Sequence, residues 1–321
     1  MNDLISPPIA DAWFLTGPTA SGKTTLGLML AQRLNTEVLS LDSMAVFRGM
    51  DIGTAKPDSL ARQLVPHQLL DLVDPTAEFS ISRYVQEAHA HATRLRNAGK
   101  PILFVGGTPL YLKALLRGFF HGPPPDWEFR SQVDEEVAAA GLPALRERLM
   151  QVDPLSATKL HLHDQRRMIR ALEVYKLTGR PLSHFQSQFD EGRPPDRCRV
   201  FVLGWERPAL HARIDQRVEQ MMKQGLVTEV QSLLEKHGNL GKTASQAVGY
   251  REVIEHLQKG TPMKDCVDQI KFASHQFARR QEIWFRGLSE CRRIAMSAYA
   301  SPDEIAEFIT REGELAAKSP Q

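Results

Sequence analysis

The first third of the chain alternates short apolar runs with stretches of helical periodicity. The apolar runs lie at Ala12–Thr16, Glu37–Leu41 and Pro101–Val105, and the helical stretches lie at Thr24–Leu34 and Ser82–Ala98. Because the runs do not alternate strictly between apolar and polar residues, they are typical of strands covered on both faces. Such strands, separated by helices, predict an α/β core with a parallel sheet flanked by helices.

The middle of the chain has a different pattern. Proline clusters at Pro123–Pro125 and Pro194–Pro195 enclose helical stretches at Asp126–Ala140, Leu142–Gln151 and Asp164–Leu177, with no convincing strand between them. Proline-rich turns are common at domain boundaries. This segment is therefore interpreted as an all-helical insertion domain.

The chain returns to the sheet at the apolar run Val200–Leu203, after which helical periodicity dominates again. We predict a first part of the core over residues 1–121, the insertion domain over 122–198, and core completion with C-terminal helices over 199–321. The tail from Ser301 onward predicts a polar, charged helix or a frayed end.

Length and composition exclude several classes of protein. The 321 residues suggest about two domains, and 42% hydrophobic with 24% charged residues is ordinary for a soluble globular protein. A net charge of +2 gives no argument for nucleic acid, which must rest on local clustering. The three cysteines form no C-x-x-C pair, which argues against a disulfide framework or structural zinc and fits a reducing compartment. No signal peptide and no apolar run near ~18 residues is found, so we expect a cytoplasmic protein without membrane contact.

The most specific local motif is a phosphate-binding loop between the first predicted strand and helix. It matches G-x-x-x-x-G-K-[ST] in full and consists of Gly17, Pro18, Thr19, Ala20, Ser21, Gly22, Lys23 and Thr24. Glycines let the backbone curl so that N–H groups face phosphate oxygens, and the helix N-terminus adds partial positive charge. Lys23 adds a full charge, and the Thr24 hydroxyl can bind Mg²⁺. These features predict a P-loop NTPase-like core.

The loop does not identify its ligand, and read alone it suits ATP. Apart from the strand that ends at Asp42, no apolar strand of the first region ends in an Asp that could hold Mg²⁺, and no N-K-x-D guanine signature occurs. A small-molecule kinase or another transferase remains. Asp42 follows the second predicted strand, at the sheet edge where ligands bind in open α/β folds. Its position is compatible with catalysis, a strand-end cap or a Mg²⁺ ligand.

The segment Asp42–Pro57 resembles a longer family motif. Its sequence D-S-M-A-V-F-R-G-M-D-I-G-T-A-K-P is similar to D-S-M-Q-V-Y-[RK]-G-M-D-I-G-T-A-K-P of the tRNA dimethylallyltransferases, also called tRNA isopentenyl transferases. It departs at Ala45 and Phe47, where Gln and Tyr are common. Five further segments resemble other motifs of the bacterial type and occur in the same order, with Ile283 where Thr is usual. They are Pro66–Asp71, Val105–Tyr111, Asp164–Val174, Ala247–Glu252 and Ala278–Arg286. The resemblance runs from about Phe14 to Arg286.

The resemblance implies a reaction and its cofactor. The donor would be dimethylallyl diphosphate, and the acceptor would be N6 of adenine 37 in the anticodon loop of tRNAs that read U-initial codons. The products would be N6-isopentenyladenosine and pyrophosphate, with Mg²⁺ as cofactor. Because the adenine amine is a poor nucleophile, a carboxylate that accepts its proton would accelerate the reaction by roughly 10²–10⁴-fold. Asp42 is the candidate, and the family assigns the matching Asp this role.

The leaving pyrophosphate gains charge, so its stabilisation is the larger task. The resemblance implies Asp42, Thr24, Arg217 and Thr108 as catalytic residues. Arg213 and Arg217 are four residues apart and share one helix face, which makes both candidates for diphosphate binding, and the resemblance implies this contact for Arg217. Spacing alone fits a solvated basic face equally well.

The acceptor would be held by a larger set. The predicted tRNA-binding residues are Asp42, Ser43, Met44, Ala45, Thr108, Arg130, Gln165, Arg166, Arg167, Met168, Ile169, Arg170, Ala247, Val248, Gly249, Tyr250, Arg251, Glu252, Arg279 and Arg280. Basic residues interleave with aromatics between Lys271 and Arg293, which suits RNA loops whose bases stack on rings. An amphipathic helix with core aromatics gives the same pattern.

The expected partners are the tRNA anticodon stem-loop and the diphosphate donor, and the protein is expected to be a monomer. Two rival functions remain: an adenylate isopentenyltransferase that alkylates free nucleotides, and a P-loop small-molecule kinase with Arg213 and Arg217 as lid arginines. A non-enzymatic RNA-binding protein is a third class, which Asp42 beside an intact phosphate loop disfavours. The helical insertion and the basic C-terminal helices favour a large RNA acceptor.

Overall fold

The structure is a computed structural model that describes residues 5–186, 191–299 and 301–318. For residues 317 and 318 it describes the backbone alone. The chain divides into two compact units, one within Met1–Pro8 and Arg117–Glu191 and the other within Ile9–Leu116 and Gly192–Gln321. The strands are β1 (Ile5–Ser6), β2 (Trp13–Thr16), β3 (Val38–Ser40), β4 (His67–Gln68), β5 (Leu103–Val105), β6 (Phe119–Phe120), β7 (Val200–Gly204) and β8 (Arg292–Ala295).

The helices follow the pattern expected of α/β folds. They are α1 (Lys23–Arg33), α2 (Ser59–Leu64), α3 (Ile81–Asn97), α4 (Pro109–Arg117), α5 (Trp127–Val152), α6 (Pro154–Lys159), α7 (Gln165–Thr178), α8 (Leu182–Gln186), α9 (Arg207–Lys223), α10 (Leu226–His237), α11 (Tyr250–Lys259), α12 (Met263–Arg286) and α13 (Pro302–Lys318). Short 3₁₀ turns lie at Pro195–Arg197, Ala244–Gln246 and Met296–Ala298.

A six-stranded parallel sheet forms the centre of the larger unit. Its strand order is β4-β3-β5-β2-β7-β8, and every neighbouring pair runs parallel. In register, Phe14 of β2 lies opposite Phe104 of β5 on one side and Val200 of β7 on the other. All residues of β2, β3 and β7 are buried, which explains the apolar runs. The prediction of an α/β core with a parallel sheet is confirmed.

The two edge strands were not predicted. Strand β4 has only two residues, and β8 carries Arg292 and Arg293, so neither has an apolar run. The tail also differs from a purely polar or frayed end. Helix α13 buries Ile305, Ala306 and Ile309 in a cluster that includes the α1 side.

The smaller unit contains helices α5–α8 and the antiparallel pair β1–β6. Its core includes Phe129, Val133, Leu145 and Leu149. Helix α5 is interrupted at Gly141, where φ is 82°, which agrees with the two helices expected from the sequence.

The boundaries differ from the predicted 122–198 because Phe119–Phe120 pairs with Ile5–Ser6 and so joins this unit. At the other end, residues from Gly192 onward belong to the larger unit and lead into β7. Strands of two residues leave no periodicity that the sequence could reveal.

Candidate active site

A pocket of about 390 Å³ opens at the carboxyl edge of the large sheet. Three strands end at it: β2 leads into the phosphate loop, β3 into Asp42, and β5 into Gly106–Gly107. Helices α9 and α12 supply another part of the wall with Arg213, Gln216, Arg217, Gln220, Phe277 and Gln281. Residues predicted from separate motifs, namely the loop, Asp42 and both α9 arginines, thus line one cavity, where ligands bind in open α/β sheets.

The loop has the conformation that its glycines predict. Gly17 has φ 150° and lies so close to β7 that an added Cβ would be 2.8 Å from the Leu203 carbonyl oxygen. Gly22 has φ 97° and immediately precedes α1, whose first turn contains no acidic residue. The N-terminus of α1 therefore directs its partial positive charge at the pocket, as an anion site requires.

Lys23 is held by its own loop. Its ammonium group donates hydrogen bonds to the carbonyl oxygens of Gly17, at 2.9 Å, and Pro18, at 2.7 Å. Desolvation, together with the charge of Arg217, lowers the pKa of Lys23 to about 7, and Asp42 opposes this shift. A bound anion would place negative charge beside the Lys23 amine and favour its charged form.

The two arginines of α9 behave differently. Arg213 donates from Nε to the Ala20 carbonyl oxygen at 2.8 Å, and its guanidinium lies 4.4 Å from the centre of the Trp205 ring. Trp205 in turn donates from Nε1 to the Ser21 carbonyl oxygen at 3.0 Å. Arg213 and Trp205 therefore stabilise the loop through two of its carbonyl oxygens, a role that the sequence did not indicate.

Arg217 differs from Arg213 in its contacts. Within the described part of the chain it forms no hydrogen bond or ion pair, although it lines the pocket and is half-buried. Desolvation lowers the pKa of Arg217, and Asp42 counteracts this. Because an enclosed guanidinium without a partner is unfavourable, Arg217 is prepared for an anionic ligand.

Asp42 serves as a cap and still faces the pocket. Its Oδ1 accepts hydrogen bonds from the N–H groups of Met44 at 2.8 Å and Ala45 at 3.4 Å. Its Oδ2 forms no hydrogen bond to any residue described. The strand-end cap considered from the sequence is therefore present, and one carboxylate oxygen remains available for chemistry.

Thr108 joins the ends of β3 and β5. Its Oγ1 accepts from the Ser43 N–H at 3.0 Å, and its own N–H donates to the Leu41 carbonyl oxygen at 3.1 Å. Thr108 therefore fixes the backbone on both sides of Asp42. Thr24 lies at the start of α1 and is exposed at the pocket.

Gln281 is a site residue to which the sequence gave no role. Its side chain is 4% exposed, accepts from the Thr19 N–H at 2.9 Å and donates to the Gly107 carbonyl oxygen at 2.6 Å. The only signal was a glutamine within the buried stripe of α12, which runs through Ile270, Ala278 and Phe285.

A second unpredicted feature is the support of the Asp51–Lys56 loop. Lys56, with a side chain 1% exposed, donates to the Phe47 carbonyl oxygen and to the carboxylates of Asp51 and Asp71. Glu229 accepts from the N–H groups of residues 51–53, and from the Tyr250 hydroxyl at 2.6 Å. These contacts fix the loop that contributes Thr54–Pro57 to the pocket wall.

Several residues predicted to contact tRNA are buried instead. Met168 and Ile169 belong to the core of the smaller unit. Ala247, Gly249, Tyr250 and Glu252 are also buried, and Glu252 accepts from the Gly249 N–H at 2.8 Å. The burial of these six residues gives them a structural role in packing, and their contact with tRNA stays a prediction.

Other predicted tRNA-binding residues have polar partners within the smaller unit. Arg130 and Arg170 both pair with the buried carboxylate of Glu173. Gln165 donates to Asp134 at 2.7 Å. Five further basic side chains are exposed, although two of them also pair with a carboxylate, Arg167 with Asp164 and Arg251 with Glu252. The five are Arg166, Arg167, Arg251, Arg279 and Arg280.

The aromatic residues of α12 also separate into two groups. Phe272, Phe277 and Trp284 are 66%, 38% and 40% exposed, whereas Phe285 is buried. The interpretation of core aromatics therefore holds for Phe285, whereas the other three are exposed, and Phe277 lines the pocket.

The described residues contain neither a membrane-spanning helix nor a cluster of metal-binding side chains. None of the helices in those ranges combines the length and apolar character needed to cross a bilayer. The same ranges contain no cluster of three or more His, Cys, Asp or Glu residues able to hold a metal ion.

Comparison with known proteins gives a consistent set of relatives. A profile of the IPP transferase family matches residues 45–288. The tRNA dimethylallyltransferase of Rhodopirellula baltica is 50% identical over 314 residues, covering 95% of this chain and 93% of that protein. That of Pelotomaculum thermopropionicum is 39% identical, covering 92% and 94%. The crystal structure of the full-length tRNA isopentenylpyrophosphate transferase from Bacillus halodurans matches with TM-score 0.69 at 35% identity, covering 96% of this chain and 98% of that one.

Proposed function

The chain belongs to the IPP transferase family, and we propose that it transfers a dimethylallyl group from dimethylallyl diphosphate to N6 of adenine 37 in tRNA. It is a tRNA dimethylallyltransferase, a prenyltransferase that acts on tRNA. The observation that carries the proposed reaction is that one pocket holds a phosphate loop, the carboxylate of Asp42 and Arg217, whose guanidinium pairs with no group in the described ranges. Since kinases also use a carboxylate base, Asp42 does not separate the two functions by itself, and the relatives support prenyl transfer over phosphate transfer.

The diphosphate would occupy the loop and the N-terminus of α1. Lys23 would exchange its bonds to the Gly17 and Pro18 carbonyl oxygens for phosphate oxygens, and Arg217 would gain the partner that it lacks. Both interactions strengthen as the C–O bond of the donor breaks and the leaving pyrophosphate gains charge. Arg213 and Trp205 would act indirectly by keeping the loop carbonyls of Ala20 and Ser21 in place.

Asp42 would accept the proton from N6 of adenine. As the N6–C1 bond forms, one N6–H proton moves to the carboxylate and the electron pair of the C–O bond leaves with pyrophosphate. The oxygen Oδ2 is available for this because Oδ1 caps Met44 and Ala45. Thr108 holds Ser43, and through it the orientation of Asp42.

Mg²⁺ fits the residues present. Thr24 is exposed at the pocket at the start of α1, where the motif places a hydroxyl ligand, and a cluster of acidic residues is not needed because diphosphate oxygens complete such a site. When bound, the ion would neutralise part of the charge of the leaving pyrophosphate. We further propose a monomer acting in the cytoplasm, where its tRNA substrate would be available.

The direct test is an incubation with radiolabelled dimethylallyl diphosphate, Mg²⁺ and either unmodified tRNA or AMP. We expect label in tRNA and none in AMP. Label in AMP alone would establish an adenylate isopentenyltransferase, and phosphate transfer from ATP without prenyl transfer would establish a kinase. A tRNA transcript with guanine in place of adenine 37 is the matched control and should remain unlabelled.

A further inference from the structure

Two buried tyrosines, outside the lining of the reaction pocket, lie beside the end of β3. Tyr84 belongs to α3 and Tyr111 to the first turn of α4. Their rings are stacked, with centroids 3.8 Å apart and planes inclined by 16°. Because burying a hydroxyl without a partner is unfavourable, the contacts of the two hydroxyl groups indicate what the pair does.

The Tyr84 hydroxyl holds the last residue of β3. It donates a hydrogen bond to the Ser40 carbonyl oxygen at 2.8 Å, in buried surroundings. Ser40 precedes Asp42 by two residues, so this bond fixes the backbone directly before the proposed base.

The Ser40 carbonyl lies beyond the end of the neighbouring strand. Successive backbone groups of β3 face opposite neighbours, and the Val38 N–H donates to the Pro66 carbonyl oxygen on the β4 side. The Ser40 carbonyl, two residues further on, therefore also faces the β4 side. Because β4 pairs only with Val38 and Leu39, it ends before it reaches this carbonyl, and the Tyr84 hydroxyl takes the place of a strand donor.

The next backbone groups around Asp42 are held from β5 and α4. The Thr108 N–H donates to the Leu41 carbonyl oxygen at 3.1 Å, and Thr108 Oγ1 accepts from the Ser43 N–H at 3.0 Å. Gly106 approaches so closely that an added Cβ would lie 2.2 Å from the Leu41 carbonyl oxygen. The backbone on both sides of Asp42 is therefore fixed, which restricts the directions that its carboxylate can take.

The ring stack connects the α3 contact to the α4 contact. Tyr111 follows Thr108 by three residues and packs against Tyr84, so it keeps the Tyr84 ring beside Ser40. Within the described ranges the Tyr111 hydroxyl forms no hydrogen bond, so its contribution is the ring. Desolvation raises the pKa of both tyrosines, and the charge of Asp42 raises each pKa further, so Tyr84 stays protonated and remains a donor.

We propose that Tyr84 and Tyr111 are positioning residues that orient the carboxylate of Asp42 towards the amine that it deprotonates. Tyr84 acts through the Ser40 backbone, and Tyr111 acts by holding the Tyr84 ring. This inference rests on the proposed role of Asp42 as the base, and it assigns neither tyrosine a contact with substrate. Since a displacement of ~1 Å can cost ~10²-fold in rate, a partial loss of alignment is measurable.

The donor side of the pocket is held by different contacts. The phosphate loop follows β2, and its backbone is bonded to Gln281, Arg213 and Trp205. These three residues lie outside α3 and α4. Loss of the Tyr84 hydroxyl should therefore slow the chemical step and spare donor binding, whereas a general loosening of the fold would affect both.

The test compares single-turnover prenyl transfer to unmodified tRNA with donor affinity measured without RNA. Tyr84→Phe removes only the hydroxyl and should lower the single-turnover rate about tenfold, with donor affinity within about twofold of wild type. Tyr111→Leu removes the stacked ring and should lower the rate similarly, and Tyr111→Phe should restore it. Tyr175→Phe, which changes an exposed tyrosine of α7, is the matched control and should behave as wild type.

A double-mutant cycle with Asp42→Asn separates positioning from folding. Because the pair acts through Asp42, Tyr84→Phe should leave the residual rate of Asp42→Asn unchanged. An equal loss of rate in both backgrounds, or a loss of donor affinity as large as the loss of rate, would assign the pair a structural role alone and overturn the inference. Tyr84→Phe decides this even where Tyr111→Leu fails to fold.

Two further outcomes separate this inference from the proposed function. A wild-type rate in Tyr84→Phe, with the wild-type protein transferring label to tRNA, would refute the positioning role and leave the proposed function intact. If the wild-type protein transferred no label to tRNA, the proposed function would fail together with this inference.

Discussion

The side-chain carbonyl of Gln281 accepts a hydrogen bond from the Thr19 N–H at 2.9 Å, while its amide group donates to the Gly107 carbonyl oxygen at 2.6 Å. A single buried side chain on α12 therefore ties the phosphate loop to the turn that precedes Thr108. Thr108 in turn holds the backbone beside Asp42. The proposed donor and acceptor sides of the pocket are connected through Gln281.

Replacing Gln281 should damage the pocket more than the helix. In Gln281→Leu, a part-buried N–H at Thr19 and a buried carbonyl at Gly107 lose their partners, and the loss at the buried carbonyl costs about 1–3 kcal/mol. We expect kcat/KM to fall at least tenfold, with a higher KM for the donor, and the free energy of unfolding to decrease. Steady-state kinetics and urea unfolding measure the two effects.

Gln276→Leu on the same helix is the control for the loss of a glutamine. Gln281→Glu retains an acceptor for Thr19 but places a carboxylate against the Gly107 carbonyl oxygen, so it should also be impaired. Equal kinetics in Gln281→Leu and Gln276→Leu would refute the positioning role.

Local signals made most of the fold predictable. Strands β2 and β7 are buried on both faces, so their sequences are continuous apolar runs. Edge strand β8 contains Arg292 and Arg293 and has only one fully buried residue, so hydrophobicity does not identify it. The antiparallel pair β1–β6 has two residues in each strand and is defined only by the tertiary structure.

The candidate site also has a part that the sequence predicts and a part that only the tertiary structure defines. The phosphate loop is one continuous segment, so its motif could be recognised directly. The contacts of Gln281 with Thr19 and of Arg213 with Ala20 join residues far apart in the sequence. No pattern within a single helix reveals which distant backbone group a side chain will meet. The motif that contains Tyr250 likewise did not reveal that this residue is buried and donates to Glu229.

Asp42→Asn should separate catalysis from structure. The amide retains a carbonyl oxygen that can cap Met44 and Ala45, but it cannot accept the N6 proton. We therefore expect kcat to fall by roughly 10²–10⁴-fold, the range of a lost general base, with donor affinity nearly unchanged. Single-turnover kinetics and donor binding without RNA measure the two quantities.

Asp74→Asn, which removes an exposed carboxylate paired with Arg48, serves as the control and should retain full activity. If Asp42→Asn instead weakened donor binding as much as it slowed turnover, Asp42 would be a ligand of the metal–diphosphate complex.

Thr24→Ala should raise the Mg²⁺ requirement. The hydroxyl of Thr24 is the proposed protein ligand of the ion, and Thr25 is an adjacent exposed threonine of the same helix. We expect the Mg²⁺ concentration for half-maximal rate to increase about tenfold or more in Thr24→Ala, by analogy with the loss of a hydroxyl ligand in phosphate loops. Thr24→Ser should restore it.

Thr25→Ala is the matched control for that measurement. A Mg²⁺ titration with the same half-maximal concentration in Thr24→Ala and Thr25→Ala would exclude Thr24 as a ligand. Chelation by EDTA should abolish activity in every variant, and excess Mg²⁺ should recover it.

The charge of Lys23 should make donor binding depend on pH. In the free protein the pKa of Lys23 is about 7, so the amine is largely neutral at higher pH. A bound diphosphate favours the charged form and raises this pKa, so binding above pH 7 must take up a proton. Donor affinity should therefore decrease as pH rises from 7 to 9, by at most tenfold per unit. Calorimetry at pH 8 in two buffers of different ionisation enthalpy measures the proton uptake.

Arg217 gives this prediction a second, independent test. Its charge is one cause of the low pKa of Lys23, so Arg217→Gln should raise that pKa and shift the decline in affinity to higher pH. The same variant should bind the donor more weakly at every pH, because it loses a phosphate ligand.

Lys23→Met should abolish the proton uptake, whereas Lys264→Met, which removes an exposed lysine on α12, should leave it unchanged. Constant donor affinity between pH 7 and 9 in the wild-type protein, without proton uptake, would show that Lys23 stays charged before the donor binds.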